Sequence, residues 1–389
     1  MIYLDNAAST QIHADVLDSM LPYLKQQYGN PSSIHRYGRM ARKAIEKARK
    51  QIAALINADP SEILITSGGT ESNNTVMEGL PGKSNGDKII TSAIEHDAIL
   101  EPCKRLVQDG MIVDYLPVDR FGMVNPSDLF SRLSDSTRLV SIMFGNNEVG
   151  TLQKISELAK ICNAKKIPFH TDAVQAVGKV QVDVKELGID FLSISSHKLH
   201  GPKGIGALYI KNGINLDPVI LGGGQEHGLR SGTENVANIV GFGKACEIAK
   251  NNLVENTSYV EHLRDILIEK VLREIPEVTL NGDPLSRLPN NAHFTFLGVN
   301  GEDLIIKLDE YGIAASTGSA CSVNTQKASH VLQSMGFSHE QITGSLRLTL
   351  GIFNNEDEIE KTVHSLKIIV EELRSFSPFK EKYSFDIKH

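Results

Sequence analysis

The chain has 389 residues, of which 41% are hydrophobic and 22% charged, with 40 Lys and Arg against 47 Asp and Glu. This composition is typical of a globular protein with a large core and excludes disorder, collagen and coiled coil. The net charge of −7 argues against nucleic-acid binding as the main function. No apolar stretch approaches the roughly 18 residues of a membrane span and no basic leader opens the chain, so we expect a cytoplasmic protein without membrane contact.

Strand-like runs alternate with helix-like runs over most of the N-terminal two thirds of the chain. The predicted strands cover residues 62–66, 88–91, 139–143, 168–172, 191–195 and 207–210. Apolar residues spaced three or four apart predict amphipathic helices at 39–56 and 155–161. This alternation favours an α/β fold with a largely parallel sheet and helices on both of its faces.

The pattern changes after about residue 255. Residues 291–297 and 345–350 alternate as strands do, and apolar positions from Ile359 to Leu373 predict one long helix capped by Asn355. We therefore predict a large domain at 15–255 and a small α+β domain made of 1–14 and 256–389, with a peripheral tail at 380–389.

Four cysteines lie far apart, so no C-x-x-C pair or metal-ligand spacing occurs and no metal site is predicted. Cys103, Cys162 and Cys246 are expected to be small buried side chains. Cys321 differs, because the run of small residues at 317–322 predicts an exposed loop. A thiol in such a loop can react.

Lys198 ends Ser195-Ser-His-Lys198, which follows a predicted strand. The S-x-x-K pattern also occurs in serine acylases, but their partner motifs S-D-N and K-T-G are missing from this chain. A lysine at the end of a buried strand is better suited to a Schiff base with an aldehyde cofactor. Asp172 ends its own predicted strand and supplies a carboxylate for a pyridine nitrogen.

A site for a phosphate is predicted at Ser67-Gly-Gly-Thr-Glu71, between a strand and a helix-like stretch. Backbone N–H groups and a hydroxyl there would face an anion. Ligands of α/β proteins gather at the carboxyl ends of parallel strands, where Asp172 and Lys198 are also expected. A lysine, a carboxylate and phosphate donors are what pyridoxal 5'-phosphate needs from a protein, so the sequence predicts this cofactor.

Nine ordered motifs are spread over the chain. They are Tyr3-Leu-Asp-Asn-Ala-Ala-Ser-Thr10, Gly29-Asn-Pro-Ser-Ser33, Ser67-Gly-Gly-Thr-Glu71, Glu95-His96, Asn146-Asn-Glu-Val-Gly150, His170-Thr-Asp-Ala-Val-Gln175, Ser195-Ser-His-Lys198, Leu229-Arg-Ser-Gly-Thr-Glu-Asn235 and Ser316-Thr-Gly-Ser-Ala-Cys321. Together they resemble the class V pyridoxal-phosphate enzymes, and most closely the cysteine desulfurases of the NifS/IscS type. The resemblance implies pyridoxal-phosphate fold type I, as in aspartate aminotransferase, with a mostly parallel seven-stranded sheet and a small α+β domain.

The resemblance also implies a role for each matching residue around the cofactor ring. Lys198 would carry the cofactor and move the substrate proton, Asp172 would partner the ring nitrogen, and Gln175 would bind the ring hydroxyl. His96 would stack on the ring and take part in proton transfer.

The phosphate and the substrate are assigned in the same way. The resemblance implies that Gly69, Thr70, Ser195 and His197 hold the phosphate, together with Thr233 of a second subunit. The protein would therefore be a homodimer. Asn147 and Arg347 would orient the substrate carboxylate, Arg347 through the planar fork of its guanidinium.

The implied reaction converts L-cysteine to L-alanine. The thiolate of Cys321 would attack the substrate sulfur and keep it as a persulfide until an acceptor protein takes it. Residues 323–329, in the cysteine loop at about 316–330, resemble a longer-loop subgroup that passes sulfur to iron–sulfur scaffolds or tRNA-thiolation enzymes. Four residues depart from the common family pattern, namely Lys154, His227, Ala328 and Ile352.

Two other functions stay open at this point. One is a selenocysteine lyase, or another class V lyase or aminotransferase, that uses the same cofactor frame. The other is a non-catalytic adaptor that binds the cofactor and serves for partner docking. Cys321 discriminates between the enzymes, because only a persulfide mechanism depends on its thiol.

Overall fold

The computed structural model describes residues 1–318 and 328–376. Its strands are β1 (Ile2–Tyr3), β2 (Ile63–Thr66), β3 (Lys88–Ser92), β4 (Ile112–Leu116), β5 (Thr137–Ser141), β6 (Phe169–Asp172), β7 (Phe191–Ser195), β8 (Gly206–Ile210), β9 (Val278–Leu280), β10 (Asn291–Phe296), β11 (Ile313–Ala314) and β12 (Ser345–Thr349). Its helices are α1 (Ala14–Lys25), α2 (Arg36–Leu55), α3 (Gly69–Glu78), α4 (Asp97–Gln108), α5 (Pro126–Arg132), α6 (Ile155–Ala164), α7 (Val184–Leu187), α8 (Val236–Asn251), α9 (Leu253–Glu274), α10 (Gly301–Glu310), α11 (His330–Ser334), α12 (His339–Thr343) and α13 (Glu356–Phe376).

The large sheet has seven strands in the order β2-β8-β7-β6-β5-β3-β4. Its neighbours pair in parallel except at β8, which runs antiparallel to both β2 and β7. The predicted mostly parallel seven-stranded sheet is confirmed, and each of the six predicted strands lies within two residues of an observed one. The pattern analysis missed β4, because this edge strand is partly exposed and lacks a continuous apolar run.

Helices cover both faces of this sheet. One core joins Ile52 of α2, Leu158 of α6 and Phe242 of α8 to one face. A second core packs Val76 of α3 and Cys103 of α4 against the other face. Side chains that alternate along each strand explain why a strand feeds both cores. Cys103, Cys162 and Cys246 are buried, as predicted.

A smaller antiparallel sheet has the order β12-β10-β9. Its core takes Leu4 from the N-terminal segment and residues between Val260 and Val370 from the rest of the chain. The long helix predicted near the C-terminus is α13, and the Asn355 side chain accepts the Glu358 N–H at 3.1 Å, as expected for a cap. The domain boundaries near residues 14 and 255 stay a prediction.

Residues 5–10 connect the two sheets. Asp5 forms a bridge with Thr349 at the end of β12, and the Thr10 N–H donates to the carbonyl of His197 just after β7. The carboxyl ends of β6 and β7 therefore face the small sheet across this segment. Across residues 1–318 and 328–376, no helix combines the length and apolarity that crossing a membrane requires.

Candidate active site

A cleft of about 750 Å³ lies at the carboxyl ends of β6 and β7, beside the N-terminus of α3. Its lining brings together ten of the twelve site residues that the sequence predicted. They are Gly69, Thr70, His96, Asn147, Asp172, Gln175, Ser195, His197, Lys198 and Arg347. Thr233 is exposed and is not among the described residues that line this cleft, and Cys321 lies outside the described residues.

Asp172 is the last residue of β6 and is 6% exposed. The Asn73 side-chain amide donates to its Oδ2 at 2.6 Å, and the Val174 backbone N–H donates to its Oδ1 at 3.0 Å. Hydrogen bonds to both oxygens fix the carboxylate plane at the wall of the cleft. Asn73 was not predicted, because nothing local in its sequence marks it as a partner of a residue 99 positions away.

Lys198 lies in the short 3-10 turn that follows β7. Its Nζ donates to the carbonyl oxygens of Ala7 at 2.6 Å and Ala8 at 2.9 Å. Residues 7 and 8 therefore hold the amine at the cleft. One structural role of the sequence motif at residues 3–10 is thus to supply the carbonyl groups that bind Lys198.

Backbone geometry shapes the opposite wall. Gly68 has φ of 154°, a conformation that favours glycine, and α3 begins at the next residue. A Cβ on Gly69 would lie only 2.6 Å from Cγ2 of Val174, so only glycine fits there. The first N–H groups of α3 have no acceptor within their own helix, which makes this helix end an anion site.

Two ionisable side chains near the start of α3, His197 and Glu71, affect how well this helix end can bind an anion. Burial, together with the positive charges of Lys198, Lys203 and Lys179, lowers the pKa of His197 to about 4, so its ring is neutral near pH 7. Glu71 would repel an anion, but Arg230 donates to both of its carboxylate oxygens at 2.9 and 3.3 Å. Burial opposes ionisation of Glu71, yet hydrogen bonds from Arg230 and Ser67 outweigh it and lower the pKa of this carboxyl.

His96 caps α4, and its Nδ1 accepts the Ala98 N–H at 3.0 Å. Since Nδ1 is an acceptor in this bond, the proton of the neutral ring lies on Nε2. Glu95 precedes it, buried, where the Ser92 hydroxyl and the Met143 N–H donate to its Oε1. Burial raises the pKa of Glu95 to about 8 against these hydrogen bonds. The sequence motif contained Glu95 without giving it a role.

Arg347 lies in the middle of β12 and is 2% exposed. Its Nη1 donates to the carbonyls of Asn147 at 2.8 Å and Gly318 at 3.2 Å, and its Nη2 donates to Asp5 Oδ1 at 2.8 Å. Within the described residues its buried Nε has no hydrogen-bond partner. Arg347 also lines the cleft, so its guanidinium is within reach of a ligand there, and a guanidinium suits a carboxylate.

Glu148 lies beside Arg347 and was not predicted as a site residue. The Ser329 hydroxyl donates to its Oε2 at 2.6 Å, and a Cβ on Gly318 would lie 3.3 Å from its Cγ. Burial raises the pKa of Glu148, although Ser329, His330 and Arg347 oppose the rise. Its only sequence signal was membership of the motif Asn146-Asn-Glu-Val-Gly150.

These residues fit pyridoxal phosphate. Lys198 offers an amine, Asp172 an oriented carboxylate, and the glycine-shaped start of α3 an anion site within one cleft. The guanidinium of Arg347, which lines the same cleft, suits the carboxylate of an amino-acid substrate. Within residues 1–318 and 328–376, no group of three His, Cys, Asp or Glu side chains could hold a metal ion.

Comparisons with known proteins agree with this chemistry. The family model for class V aminotransferases matches residues 2–362. The chain is similar to the cysteine desulfurase IscS of Dictyoglomus turgidum, with 48% identity over 389 residues that cover 100% of this chain and 99% of that protein. The cysteine desulfurase IscS of Methanosarcina thermophila is 48% identical over 383 residues, 98% of this chain and 95% of that protein.

Solved structures show the same likeness. A NifS-like protein superposes with a TM-score of 0.89 and 38% identity, over 96% of this chain and 100% of that chain. A NifS-like protein from Rickettsia africae has a TM-score of 0.85 and 35% identity, over 95% of this chain and 99% of that chain.

Proposed function

The chain belongs to the class V aminotransferase family, and we propose that it is a cysteine desulfurase that converts L-cysteine to L-alanine and transfers the sulfur to Cys321. Its dependence on pyridoxal phosphate and its desulfurase activity follow from relatives of that name that match the whole chain. The observation that carries the residue assignments is the meeting of Lys198, Asp172 and Arg347 in one cleft.

Pyridoxal phosphate supplies a ring that stabilises negative charge on the α-carbon of a bound amino acid. Asp172 would hold the ring nitrogen protonated through its fixed carboxylate, and Gln175 would donate from Nε2 to the ring hydroxyl. Lys198 would hold the cofactor through Nζ, and the same nitrogen would take the α-proton of the substrate. His96 would lie against the ring and supply a proton from Nε2 as alanine forms.

Two sets of donors bind the charged groups of cofactor and substrate. The start of α3 would hold the phosphate, with Gly69, Thr70, Ser195 and His197 as its donors. Arg347 and Asn147 would bind the substrate carboxylate, and their common place in the lining of the cleft supports this assignment.

Cys321 receives the sulfur. Its thiolate attacks the substrate sulfur, so that a sulfur–sulfur bond forms while the bond from substrate carbon to sulfur breaks. The electron pair stays on that carbon, which takes a proton and becomes the methyl group of alanine. The support is the thiol in the small-residue run at 317–322, which lies partly outside the described residues.

The functional unit is a homodimer. Thr233 is exposed and is not among the described residues that line the cleft of its own chain, as expected for a residue that completes the phosphate site of a second subunit. Exposed apolar side chains supply a surface for that contact, notably Tyr28 at 78%, Ile34 at 90% and Leu221 at 79%.

The sulfur of the Cys321 persulfide passes to an acceptor protein in the cytoplasm, either an iron–sulfur scaffold or a tRNA-thiolation enzyme. The relatives named IscS support iron–sulfur assembly as the pathway. The net charge of −7 supports a protein acceptor rather than direct nucleic-acid binding.

The experiment that tests this function compares the wild-type protein with Cys321→Ala and Lys198→Ala, each supplied with L-cysteine and a reducing thiol. We expect equal amounts of alanine and sulfide from the wild type. Cys321→Ala should bind the cofactor and make no sulfide, and Lys198→Ala should make neither product. Full alanine release by Cys321→Ala would exclude the persulfide step and favour another class V activity, and no turnover by the wild type would favour the adaptor.

Mixed dimers test the shared site. Lys198→Ala and Thr233→Glu subunits are each inactive alone, the second because a carboxylate repels the phosphate. If Thr233 acts in the partner subunit, half of the dimers in an equal, re-equilibrated mixture regain one intact site, giving about a quarter of wild-type activity. A mixture as inactive as its components would show that Thr233 acts within its own subunit. Full activity of Thr233→Glu alone would show that Thr233 has no part in the site.

A further inference from the structure

Lys179 lies behind the cofactor site and has no role in the function proposed above. Its Nζ donates to Gln175 twice, to the backbone carbonyl at 3.0 Å and to the side-chain Oε1 at 3.3 Å. Burial, with the positive charge of Lys198, lowers the pKa of Lys179 to about 7. Lys179 is partly buried, and removing part of an amine from water costs free energy that its hydrogen bonds to Gln175 offset.

Those contacts determine which way the Gln175 amide points. Its Nε2 donates to the Ala7 carbonyl at 2.9 Å, while its Oε1 accepts from Lys179. The reverse orientation would set the amide NH₂ against the Lys179 amine and the amide oxygen against the Ala7 carbonyl. Lys179 and Ala7 therefore both favour one of the two nearly isosteric orientations.

The favoured orientation leaves one hydrogen on Nε2 after the bond to Ala7, because an amide nitrogen carries two. Gln175 lines the active-site cleft, so this hydrogen is available to a ligand there. Among the described residues, Lys179 does not line that cleft but a separate cavity, and Lys198 lines both. Lys179 thus acts through Gln175 and without touching the contents of the cleft.

We propose that Lys179 is a positioning residue that fixes the Gln175 amide with its NH₂ toward the ring hydroxyl of the cofactor. The inference rests on the proposed role of Gln175. The Ala7 carbonyl also accepts from Lys198, so the Gln175 amide and the catalytic amine share one anchor. The backbone carbonyl of Lys179 accepts from the Thr257 hydroxyl at 2.8 Å, a contact that side-chain substitution leaves intact.

The test is a double-mutant cycle read by cofactor affinity. Full-length protein freed of cofactor is titrated with pyridoxal phosphate and followed by visible absorbance, for wild type, Lys179→Met, Gln175→Met and the double variant. We expect Lys179→Met to raise the dissociation constant about tenfold, as for one lost hydrogen bond of medium strength. In the Gln175→Met background the same change should have less than a twofold effect.

Two further variants separate positioning from structural support. Lys179→Arg keeps a donor and should return the dissociation constant to within about threefold of wild type. Lys185→Met removes a lysine whose side chain is 55% exposed and is the matched control. Thermal unfolding of each variant identifies any that lose the fold.

A tenfold loss of affinity from Lys179→Met in both backgrounds would overturn the proposal, since Lys179 would then act independently of Gln175. An unchanged affinity in the wild-type background would overturn it as well. Because cofactor binding needs no turnover, this test is separate from the failure of the desulfurase function. That failure would show only in alanine and sulfide release.

Discussion

The cofactor end and the substrate end of the cleft are held in different ways. At the cofactor end, Asp172 ends β6 and Lys198 follows the neighbouring parallel strand β7, and both bond to neutral groups, the Asn73 amide and the Ala7 carbonyl. At the substrate end, Arg347 is already engaged by the Asp5 carboxylate. The cofactor end is thus preorganised by strand topology, whereas the substrate end depends on an ion pair that an incoming carboxylate must share.

The largest expected effect breaks the cofactor end. Asp172→Asn replaces the carboxylate with a neutral amide, which cannot hold a proton on the ring nitrogen. Loss of one partner of a buried charge pair costs about 4 kcal/mol, or roughly a thousandfold in kcat for alanine release.

Asp190→Asn is the matched control, because Asp190 is also 6% exposed but precedes β7 at the opposite end of the strands. It should lower stability and leave kcat within about threefold of wild type. Comparable losses of kcat from both variants would show that any buried carboxylate of the sheet matters equally.

A smaller effect is expected from breaking the substrate end. Arg347→Lys keeps the charge and loses the fork that matches a carboxylate, so we expect kcat/KM for L-cysteine to fall about a hundredfold, or about 3 kcal/mol. Cofactor affinity should stay unchanged, since Arg347 lies at the other end. Arg287→Lys, at a guanidinium 4% exposed, is the control and should leave KM unaltered. Equal loss of cofactor affinity would contradict the separation of the two ends.

The smallest expected effect is a loss of stability at low pH, which comes from a buried histidine near the cofactor end. His170 lies two residues before Asp172, between the hydroxyls of Ser141 and Ser193, and burial lowers its pKa to about 3. In the unfolded chain a histidine has a pKa of about 6.5, so below that pH it binds a proton that the ring in the folded protein does not bind. Stability is therefore full above about pH 6.5 and falls as the pH drops toward 3.

For this one ring the loss at pH 5 is roughly 2 kcal/mol. In His170→Gln, the free energy of unfolding should decrease less between pH 7 and pH 5, by about that amount, in urea titrations followed by circular dichroism. The same exchange at the exposed His262 is the control. An unchanged pH dependence in His170→Gln would mean that the buried ring carries a proton in the folded protein.

The substrate end shares this acid sensitivity. His293 of β10 lies opposite Arg347 of β12 in the antiparallel register. Burial, together with the positive charges of Arg347 and Arg287, lowers the pKa of His293 to about 3. The two ends differ in how they hold their ligand groups, but each lies over a buried neutral histidine.

Much of the cofactor end could be predicted from the sequence, because its residues follow strands whose apolar runs are visible. Asp172, Ser195 and Lys198 come directly after such runs, and topology brings them together. The glycine at 69 signals tight packing that the structure contains, since a Cβ there would lie 2.6 Å from Cγ2 of Val174.

The partners of these residues could not be predicted in the same way. Asp5 and Arg347 are 342 positions apart, and Lys179 differs from other lysines only in what surrounds it. Burial and long-range pairing are properties of the assembled fold, so no local pattern announces them. Two further points stay predictions, namely that Thr233 completes the phosphate site of a second subunit and that Cys321 accepts the substrate sulfur.

The N-terminal segment has a consequence for how the protein is made. Asp5 meets Arg347 across 342 positions, and the carbonyl of Ala7 meets Lys198 across 191. A ribosome adds about 5–20 residues per second, so Asp5 waits on the order of tens of seconds for its partner to be synthesised. The nascent chain therefore passes through a period in which its large sheet can form while the substrate end is missing. The complete cleft can therefore bind cofactor and substrate only after Arg347 has been synthesised.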